Sequence, residues 1–510
     1  MTAYDKLAAH IGEYNDLLNI LNTLKWDMRT QMPAGGAATR GAQLATLTKL
    51  AKDLFVSDMT ARLLDAAETE MAGADADSYK TRALRQTRAA YELQKRIPAE
   101  LVSRLAALGP ESEAAWAAAK DASDFAGFQP YLTQMLAINI ELADAIGYED
   151  HPFDALIQQF EPGMTAAQLN VTFGELKSRL LPLLRRIVEN DAPLPVDLWS
   201  ADYDLAGQKA LCYEMAQLIG FDFERGRLDS APHPFEISFT RDDVRITTRY
   251  DTNYLPMSIF AALHEAGHGL YEQNIAPELT RSALTTDFIG QYAVGGASYG
   301  AHEFSSRMWE NQIGRSREFW QLHFGRLQAH FPDQLADADA EHFYRAVNRV
   351  RPSLIRVEAD EVTYNLHIML RTEIEMALLE GALPVAELPE FWNAKMQEYL
   401  GLTPPDDRRG VLQDVHWSAG AFANFPCYTI GNIMSAQVLA AAHRHMPDLA
   451  IQLAQGDYAG LLGWLTESIY KHGRVYSTDE LLRRISGEGL SVAPLLDYLE
   501  RKYSDLYGLD

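Results

Sequence analysis

Apolar residues recur at spacings of three and four along most of the chain. Residues 3–25 show this pattern, which is typical of an amphipathic helix. Near the C-terminus, Ser477-Thr-Asp-Glu480 has the form of a capping box that opens another helix. Further helical segments are predicted in the Ala- and Leu-rich stretches 36–70, 78–108 and 112–146, and at 165–190.

One region departs from the helical pattern. Residues 236–250 alternate apolar and polar positions and are rich in β-branched types, which predicts two short antiparallel strands around Arg241-Asp242. Because side chains alternate along a strand, Asp243, Arg245 and Thr247 are expected on one face. The edge of such a sheet can pair with an extended peptide. No repeat or clear linker divides the sequence, so we predict one domain over residues 1–510 in a mainly α fold.

Composition and charge narrow the function classes. The chain has 510 residues, of which 47% are hydrophobic, and this is ample for a large core. A formal net charge of -25 opposes binding to nucleic acid. The two cysteines are too few for a disulfide framework. The N-terminal residues lack the pattern of a signal peptide, and no apolar run reaches the ~18–20 residues of a membrane span. We therefore expect a cytoplasmic protein with no nucleic-acid or membrane partner.

The strongest chemical signal is His264-Glu-Ala-Gly-His268, within a predicted helix over 256–273. Histidines four residues apart share one face of a helix, and neutral imidazoles are zinc ligands. Glu265, next to the first histidine, is placed to act as a general base on water. The motif therefore predicts a zinc-dependent peptide hydrolase.

A catalytic zinc site requires a third protein ligand. The extended H-E-x-x-H-x-x-G-x-x-H pattern fails, because Tyr271 and Asn274 occupy its last two defined positions. The best distal carboxylate is Glu303, in a predicted helix over 300–316, and Glu310 is a rival seven residues on. Spacing by itself does not decide which of these two carboxylates is the third ligand.

Other segments form an ordered series along the chain. The series comprises Trp26-Asp27, Met32-Pro33, His233-Pro234-Phe235, Asp243-Val-Arg245-Ile-Thr247, His302-Glu303, Trp309-Glu310, Gly314-Arg315-Ser316, Ile355-Arg356-Val-Glu-Ala359-Asp360 and Gly410-Val-Leu-Gln413-Asp414-Val-His416-Trp417. With the histidine motif, it resembles the M32 metallocarboxypeptidases of the carboxypeptidase Taq type, almost from end to end. The resemblance implies a large helical body with two lobes around a deep substrate groove. It also implies a small antiparallel β-sheet next to the zinc helix, and a homodimer.

The resemblance also implies roles for individual residues. It favours Glu303 as the third zinc ligand, and it implies one zinc ion per chain, although cobalt fits the same ligands. Arg356 is expected to bind the C-terminal carboxylate of a peptide, which suits its planar fork of donors; the alternative is a structural pair with Asp360. His416 is expected to hydrogen-bond the substrate or its oxyanion. Tyr428 is expected to add a phenolic donor there, the alternative being a buried tyrosine with a satisfied hydroxyl.

The predicted function is removal of single C-terminal amino acids from peptides by a zinc-dependent carboxypeptidase. The nearer alternative is a dipeptidyl carboxypeptidase or oligopeptidase of the same type. The farther alternative is a non-catalytic scaffold with a vestigial metal site. The intact Glu265 argues against the scaffold, because structural zinc needs no base.

Three departures from the family pattern bear on substrate preference. Thirty-four residues separate His268 from Glu303, which indicates an insertion within 276–300. Phe304 follows His302-Glu303 where the family has serine, and Asn424 stands where a tyrosine is expected. The insertion is expected to form a mobile loop, because it contains Gly290, Gly295, Gly296 and Gly300.

Overall fold

The computed structural model describes residues 1–191, 198 and 201–509. Helices make up 66% of the structure and strands 4%, so the predicted mainly α class is confirmed. In the described part of the chain the α-helices are α1 (Ala3–Thr30), α2 (Ala37–Phe55), α3 (Asp58–Glu70), α4 (Tyr79–Arg96), α5 (Ala99–Ala122), α6 (Phe125–Ile146), α7 (Pro152–Ile157), α8 (Ala166–Glu189), α9 (Leu205–Leu218), α10 (Leu255–Gln273), α11 (Tyr299–Arg307), α12 (Arg317–His330), α13 (Ala340–Val347), α14 (Thr363–Leu379), α15 (Leu388–Leu400), α16 (Pro426–His445), α17 (Leu449–Ala454), α18 (Ala459–Ser468), α19 (Thr478–Ser486) and α20 (Ala493–Tyr507). The strands are β1 (Gly226–Ser230), β2 (Glu236–Thr240), β3 (Asp243–Thr248), β4 (Thr286–Asp287) and β5 (Tyr292–Ala293). Single 3-10 turns lie at Ala34–Gly36, Pro277–Leu279, Ala283–Thr285, Arg356–Glu358, Val385–Glu387 and Tyr470–His472, and a π-helical segment lies at Met308–Ile313.

Local capping explains where the long helical stretches divide. The stretch 36–70 breaks at Ser57, whose side chain accepts a hydrogen bond from the backbone of Thr60 and begins α3. The stretch 112–146 divides at Asp124, whose side chain accepts a hydrogen bond from the backbone of Gly127 and begins α6. The stretch 78–108 breaks at Pro98, because the residue before a proline is disfavoured in helical conformation. The predicted capping box at Ser477 is confirmed.

The described residues group into two compact units, each built from three separate stretches of the chain. The first unit contains the described residues of Met1–Gln94, Leu194–Val347 and Val438–Gly489, and the second those of Lys95–Pro193, Asn348–Gln437 and Leu490–Asp510. In the first unit α10 packs against α9, α11 and β3, and α1 packs against α2 and α3. In the second unit α5 packs against α6, and α14 contacts α7, α8 and α15. A single catalytic domain over 1–510 stays a prediction.

The sheet next to α10 contains one strand more than the sequence predicts. Strands β2 and β3 are antiparallel, as predicted, and β1 pairs with β3 in parallel, so the strand order is β1-β3-β2. The predicted common face is occupied by an ion pair, in which Arg245 donates to both carboxylate oxygens of Asp243 at 2.8 Å. The Arg245 guanidinium also lies 4.5 Å from the centre of the Trp26 ring, which ties β3 to α1.

Close approach between α10 and α11 depends on a residue without a side chain. A Cβ atom added at Gly267 would lie 2.6 Å from Cα of Ser306 and 2.8 Å from the carbonyl oxygen of Ser305. The Ser305 hydroxyl donates to the Gly267 carbonyl oxygen at 2.6 Å, which fixes the crossing point. The glycine inside the histidine motif therefore sets how near the two helices come.

The glycine-rich segment 276–300, which the sequence predicts to be a mobile loop, is tied to the first unit at several points. Its two short strands, β4 and β5, form an antiparallel pair. Asn15 donates to the Thr286 hydroxyl at 2.8 Å, and Gln94 donates to the Phe288 carbonyl at 3.0 Å. The Gly295 N–H donates to both carboxylate oxygens of Glu272 on α10. These contacts join the segment to α1, α4 and α10.

Among the described residues, no helix has both the length and the hydropathy required to cross a lipid bilayer.

Replacing Gly267 by Ala tests the role of the helix crossing. The added methyl group meets the backbone of Ser306, so α11 must move away from α10, and we expect a stability loss of about 1–3 kcal/mol, as for other overpacked sites. If the zinc site that the sequence predicts is present, its affinity is also expected to fall, because Glu303, the predicted third ligand, lies on the displaced helix. Thermal unfolding and a zinc-binding titration measure the two effects.

Gly174→Ala is the matched control. Gly174 lies within α8, and nothing lies within 4 Å of a Cβ added there, so this variant is expected to be as stable as the parent or slightly more so. An unchanged melting temperature and zinc affinity in Gly267→Ala would contradict the packing argument.

Candidate metal centre

Helix α10 presents both histidines of the motif to the same side. His264 and His268 lie one turn apart, and their ring centres are 4.9 Å apart at an angle of 80°. Apart from the two histidines, every residue of this helix except Met257 and Ala261 is buried. Helix α10 therefore runs through the core of its unit and offers a rigid support. The side chains of His264 and His268 are 16% and 14% exposed, which leaves both rings reachable.

Helix α11 brings Glu303 to the two histidines. Its Oε2 lies 3.3 Å from Nε2 of His268 and 3.7 Å from Nε2 of His264. One potential ligand atom from each of the three residues lies within 4.8 Å of the others. The structure therefore brings together the three residues that the sequence proposes as metal ligands.

The chemistry of this donor set fits a catalytic zinc site. Two imidazoles and one carboxylate form a known combination of ligands for catalytic zinc. The Nδ1 of His264 lies 2.9 Å from Oε2 of Glu310, and since a carboxylate can only accept, Nδ1 carries the hydrogen. In the neutral form of the ring, which is the form that binds a metal, Nε2 then has the free lone pair. Burial and the neighbouring His302 lower the pKa of His268 to about 3, so that ring is neutral as a ligand must be.

The charge of Glu303 is balanced by a neighbour on its own helix. Arg307, one turn on, donates from Nε to Oε1 of Glu303 at 2.7 Å. Oε2, the oxygen that faces the histidines, is 3.3 Å from the Ser306 hydroxyl. Burial by itself raises the pKa of Glu303, but Arg307 and the two histidines outweigh burial and hold that pKa well below its usual range.

Glu265 occupies the next position on α10 after His264. The residue is only 6% exposed, and burial raises the pKa of its carboxyl group to about 7, against the opposing influence of His264. A carboxyl group in this environment exchanges a proton readily near neutral pH. Its chemistry therefore suits a general acid and base.

A second group of residues supports the other histidine. The ring of His302 stacks on that of His268, with centres 4.5 Å apart at an angle of 16°. Glu272 accepts a hydrogen bond from Nε2 of His302 at 3.0 Å and from the backbone of Gly295. The segment before α11 is therefore joined to α10 at the residue one turn beyond His268.

Arg356 lies in the second unit, where its partner differs from the one considered in the sequence. The expected alternative pair with Asp360 is wrong: Nε and Nη2 of Arg356 donate to Oδ1 of Asp414 at 3.0 and 2.8 Å. Nη1 donates to the Tyr364 hydroxyl at 3.1 Å. Asp360 instead accepts hydrogen bonds from the backbone of Val362 and Thr363, where α14 begins. Arg356 is 7% exposed, so its guanidinium is oriented by fixed neighbours.

The other two predicted residues of the second unit lie beside this arginine. Nε2 of His416 lies 3.2 Å from the Tyr428 hydroxyl, and the Arg356 guanidinium lies 5.4 Å from the centre of the Tyr428 ring. Burial lowers the pKa of His416 to about 4, so its ring is neutral at physiological pH. Asp414 also accepts from Arg371 at 2.7 Å, so one carboxylate serves two buried arginines.

Sequence reasoning missed several of these partners. Arg307 follows Glu303 by four residues, and this spacing on a helix is a signal that could have revealed the ion pair. The contacts of Glu272 were not indicated in this way, because its partners Gly295 and His302 lie 23 and 30 residues away. Asp414 gave no such signal, because it is 58 residues from Arg356 and meets it only through the fold.

Known proteins resemble this chain over almost its whole length. A family model described as carboxypeptidase Taq (M32) metallopeptidase matches residues 6–503. Carboxypeptidase 1 of Bacillus subtilis (strain 168) is 37% identical over 501 residues, which are 98% of this chain and 97% of that protein. Thermostable carboxypeptidase 1 of Thermus thermophilus is 38% identical over 515 aligned residues, 99% of each chain. The crystal structure of an M32 carboxypeptidase from Deinococcus radiodurans R1 superposes with a TM-score of 0.93 at 38% identity, covering 99% of this chain and 100% of that one.

Proposed function

Because the chain belongs to the carboxypeptidase Taq (M32) family of metallopeptidases, and is thereby a peptide hydrolase, we propose that it is a zinc-dependent carboxypeptidase that releases single C-terminal amino acids. The observation that carries the proposal is the convergence of His264, His268 and Glu303 next to Glu265. We further propose that residues 1–510 act as one catalytic domain. The homodimer and the cytoplasmic location stay predictions.

In this proposal His264, His268 and Glu303 hold one zinc ion, and cobalt fits the same donors. When bound, zinc supplies a Lewis acid that polarises a peptide carbonyl and makes water a stronger nucleophile at neutral pH. Arg307 keeps Glu303 ionised and occupies its Oε1, so Oε2 remains the oxygen that faces the two imidazoles.

Glu265 is proposed as the general base and then the general acid. Its carboxylate takes the proton of the attacking water and later delivers this proton to the nitrogen of the departing amino acid. The position suits both steps, because Glu265 lies on α10 between the two proposed histidine ligands, directly after His264 and three residues before His268.

Arg356 is proposed to bind the free carboxylate at the peptide's C-terminus. Asp414 and Tyr364 fix the plane of its guanidinium, and a pre-oriented guanidinium loses little freedom on binding. His416 and Tyr428 lie against each other beside it and are proposed to hydrogen-bond the substrate or its oxyanion.

Peptides that differ in length and in their last residue test the function directly. We expect single free amino acids to appear from the C-terminus, and we expect a chelator to abolish release and added zinc to restore it. Dipeptides or internal fragments as first products would instead favour a dipeptidyl carboxypeptidase or an oligopeptidase. Full activity in a protein shown to be metal-free would contradict the zinc assignment.

Glu265→Gln tests the general base. Glutamine preserves the shape of the side chain but cannot take a proton, so we expect turnover to fall by about 10²–10⁴-fold with zinc content unchanged. Turnover by the zinc-loaded variant close to that of the parent would disprove this role. Glu318→Gln, an exposed position at the start of α12, is the control and is expected to behave as the parent.

Arg356→Ala tests the carboxylate contact. Because Arg356 also pairs with the buried Asp414, the substitution is expected to cost stability, so the measured quantity is a ratio and not the absolute rate. We expect kcat/KM for a peptide with a free C-terminus to fall toward that for the same peptide as its amide. If the variant keeps the parent's preference for the free acid, Arg356 does not bind the carboxylate.

A further inference from the structure

Glu310 lies on the far side of the His264 ring from Glu303. Its Oε2 is 2.9 Å from Nδ1 of His264, whereas Glu303 approaches Nε2 of the same ring. The two carboxylates that the sequence leaves as rivals therefore contact opposite nitrogens of one imidazole. Glu310 does so from the π-helical segment Met308–Ile313, and single π-helical turns occur often at functional sites.

Two arginines hold the Glu310 carboxylate in place. Nη1 of Arg307 donates to Oε2 at 3.3 Å, and Nη2 of Arg315 donates to Oε1 at 3.3 Å. Arg315 is itself fixed, because it donates to the Val347 carbonyl oxygen at 2.7 Å and lies 3.7 Å from the centre of the Phe260 ring. The Glu310 side chain is 12% exposed, so water competes little for these bonds.

We propose that Glu310 is a positioning residue that fixes the His264 ring with Nε2 turned toward the metal. The proposal rests on the proposed function, in which His264 is a zinc ligand. A carboxylate that accepts from Nδ1–H selects one tautomer, restrains rotation of the ring and makes Nε2 a stronger donor to a metal.

Arg307 connects this positioning residue to the ligand set. Its Nε binds Oε1 of Glu303 while its Nη1 binds Oε2 of Glu310. The Arg307 guanidinium therefore fixes the orientation of Glu303, a proposed ligand, and of Glu310, which orients the second proposed ligand His264. The helical spacing that allows this is short, since Arg307 lies four residues after Glu303 and three before Glu310.

The test measures metal binding by the zinc-free protein and its Glu310→Ala and Glu310→Gln variants. Zinc affinity is obtained by competition with a chromophoric chelator, and the ligand geometry from the visible absorption spectrum of the cobalt(II)-loaded protein. We expect Glu310→Ala to bind zinc about 10–100-fold more weakly and to show an altered cobalt spectrum. Glutamine retains an acceptor oxygen but not the charge, so Glu310→Gln is expected to lie between alanine and the parent.

Controls separate positioning from folding. Glu318→Ala removes an exposed carboxylate eight residues further along and is expected to leave affinity and spectrum unchanged. The zinc-free Glu310→Gln protein is expected to stay folded with a lower melting temperature than the zinc-free parent, because Arg307 and Arg315 lose a charged partner. Zinc affinity is therefore measured well below that temperature, where a change in affinity is not a folding defect. Parent-like affinity and spectrum in a folded Glu310 variant would overturn the proposal.

A different result would reject the proposed function instead. If the parent fails to bind zinc, or if His264→Ala binds it as tightly as the parent does, then the metal site itself is misassigned. If the parent binds one zinc ion and His264→Ala does not, the comparison of Glu310→Gln with Glu318→Ala decides the role of Glu310 alone.

Discussion

The close crossing of α10 and α11 at Gly267 is the constraint on which the rest of the metal centre depends. Backbone atoms of Ser305 and Ser306 occupy the space that a side chain at position 267 would need, so the two helices approach almost to backbone contact. At that separation a glutamate on α11 reaches histidines on α10. A wider crossing would move Glu303 away from His264 and His268, and the three side chains could not then hold one ion in the way proposed.

The crossing of the two helices brings the negative charges of Glu303 and Glu310 into a buried site, where neighbouring arginines balance them. Glu303 and Glu310 share Arg307, and Glu310 has Arg315 as a second cation. Buried carboxylates are costly without such partners, because desolvation disfavours the ionised form. The same cations hold the carboxylates in fixed directions, so electrostatic balance and preorganisation of the site come from the same contacts.

The second unit uses a related arrangement with the signs exchanged. Asp414 accepts from both Arg356 and Arg371, so two guanidinium groups are balanced against one carboxylate. The aromatic rings of Phe425 and Tyr428 lie 5.6 and 5.4 Å from the Arg356 guanidinium and add favourable contact with its charge. An arginine held in this way is oriented before any ligand arrives, which is the property that recognition of a carboxylate requires.

The sequence by itself determined the features that depend on local spacing. Four-residue spacing places His264 and His268 on one face, alternation predicts β2 and β3, and the capping box at Ser477 begins α19. Ordered motifs identified the family, because many residues in a fixed order are specific even where each is weak. Only the tertiary structure decided that Glu303 faces the Nε2 atoms of both histidines while Glu310 contacts Nδ1 of His264. Both carboxylates lie on one continuous stretch of helix, so their positions depend on where α11 crosses α10. The same holds for the pair of Arg356 with Asp414 and for the parallel strand β1, because contacts between distant residues leave no periodic trace in the chain.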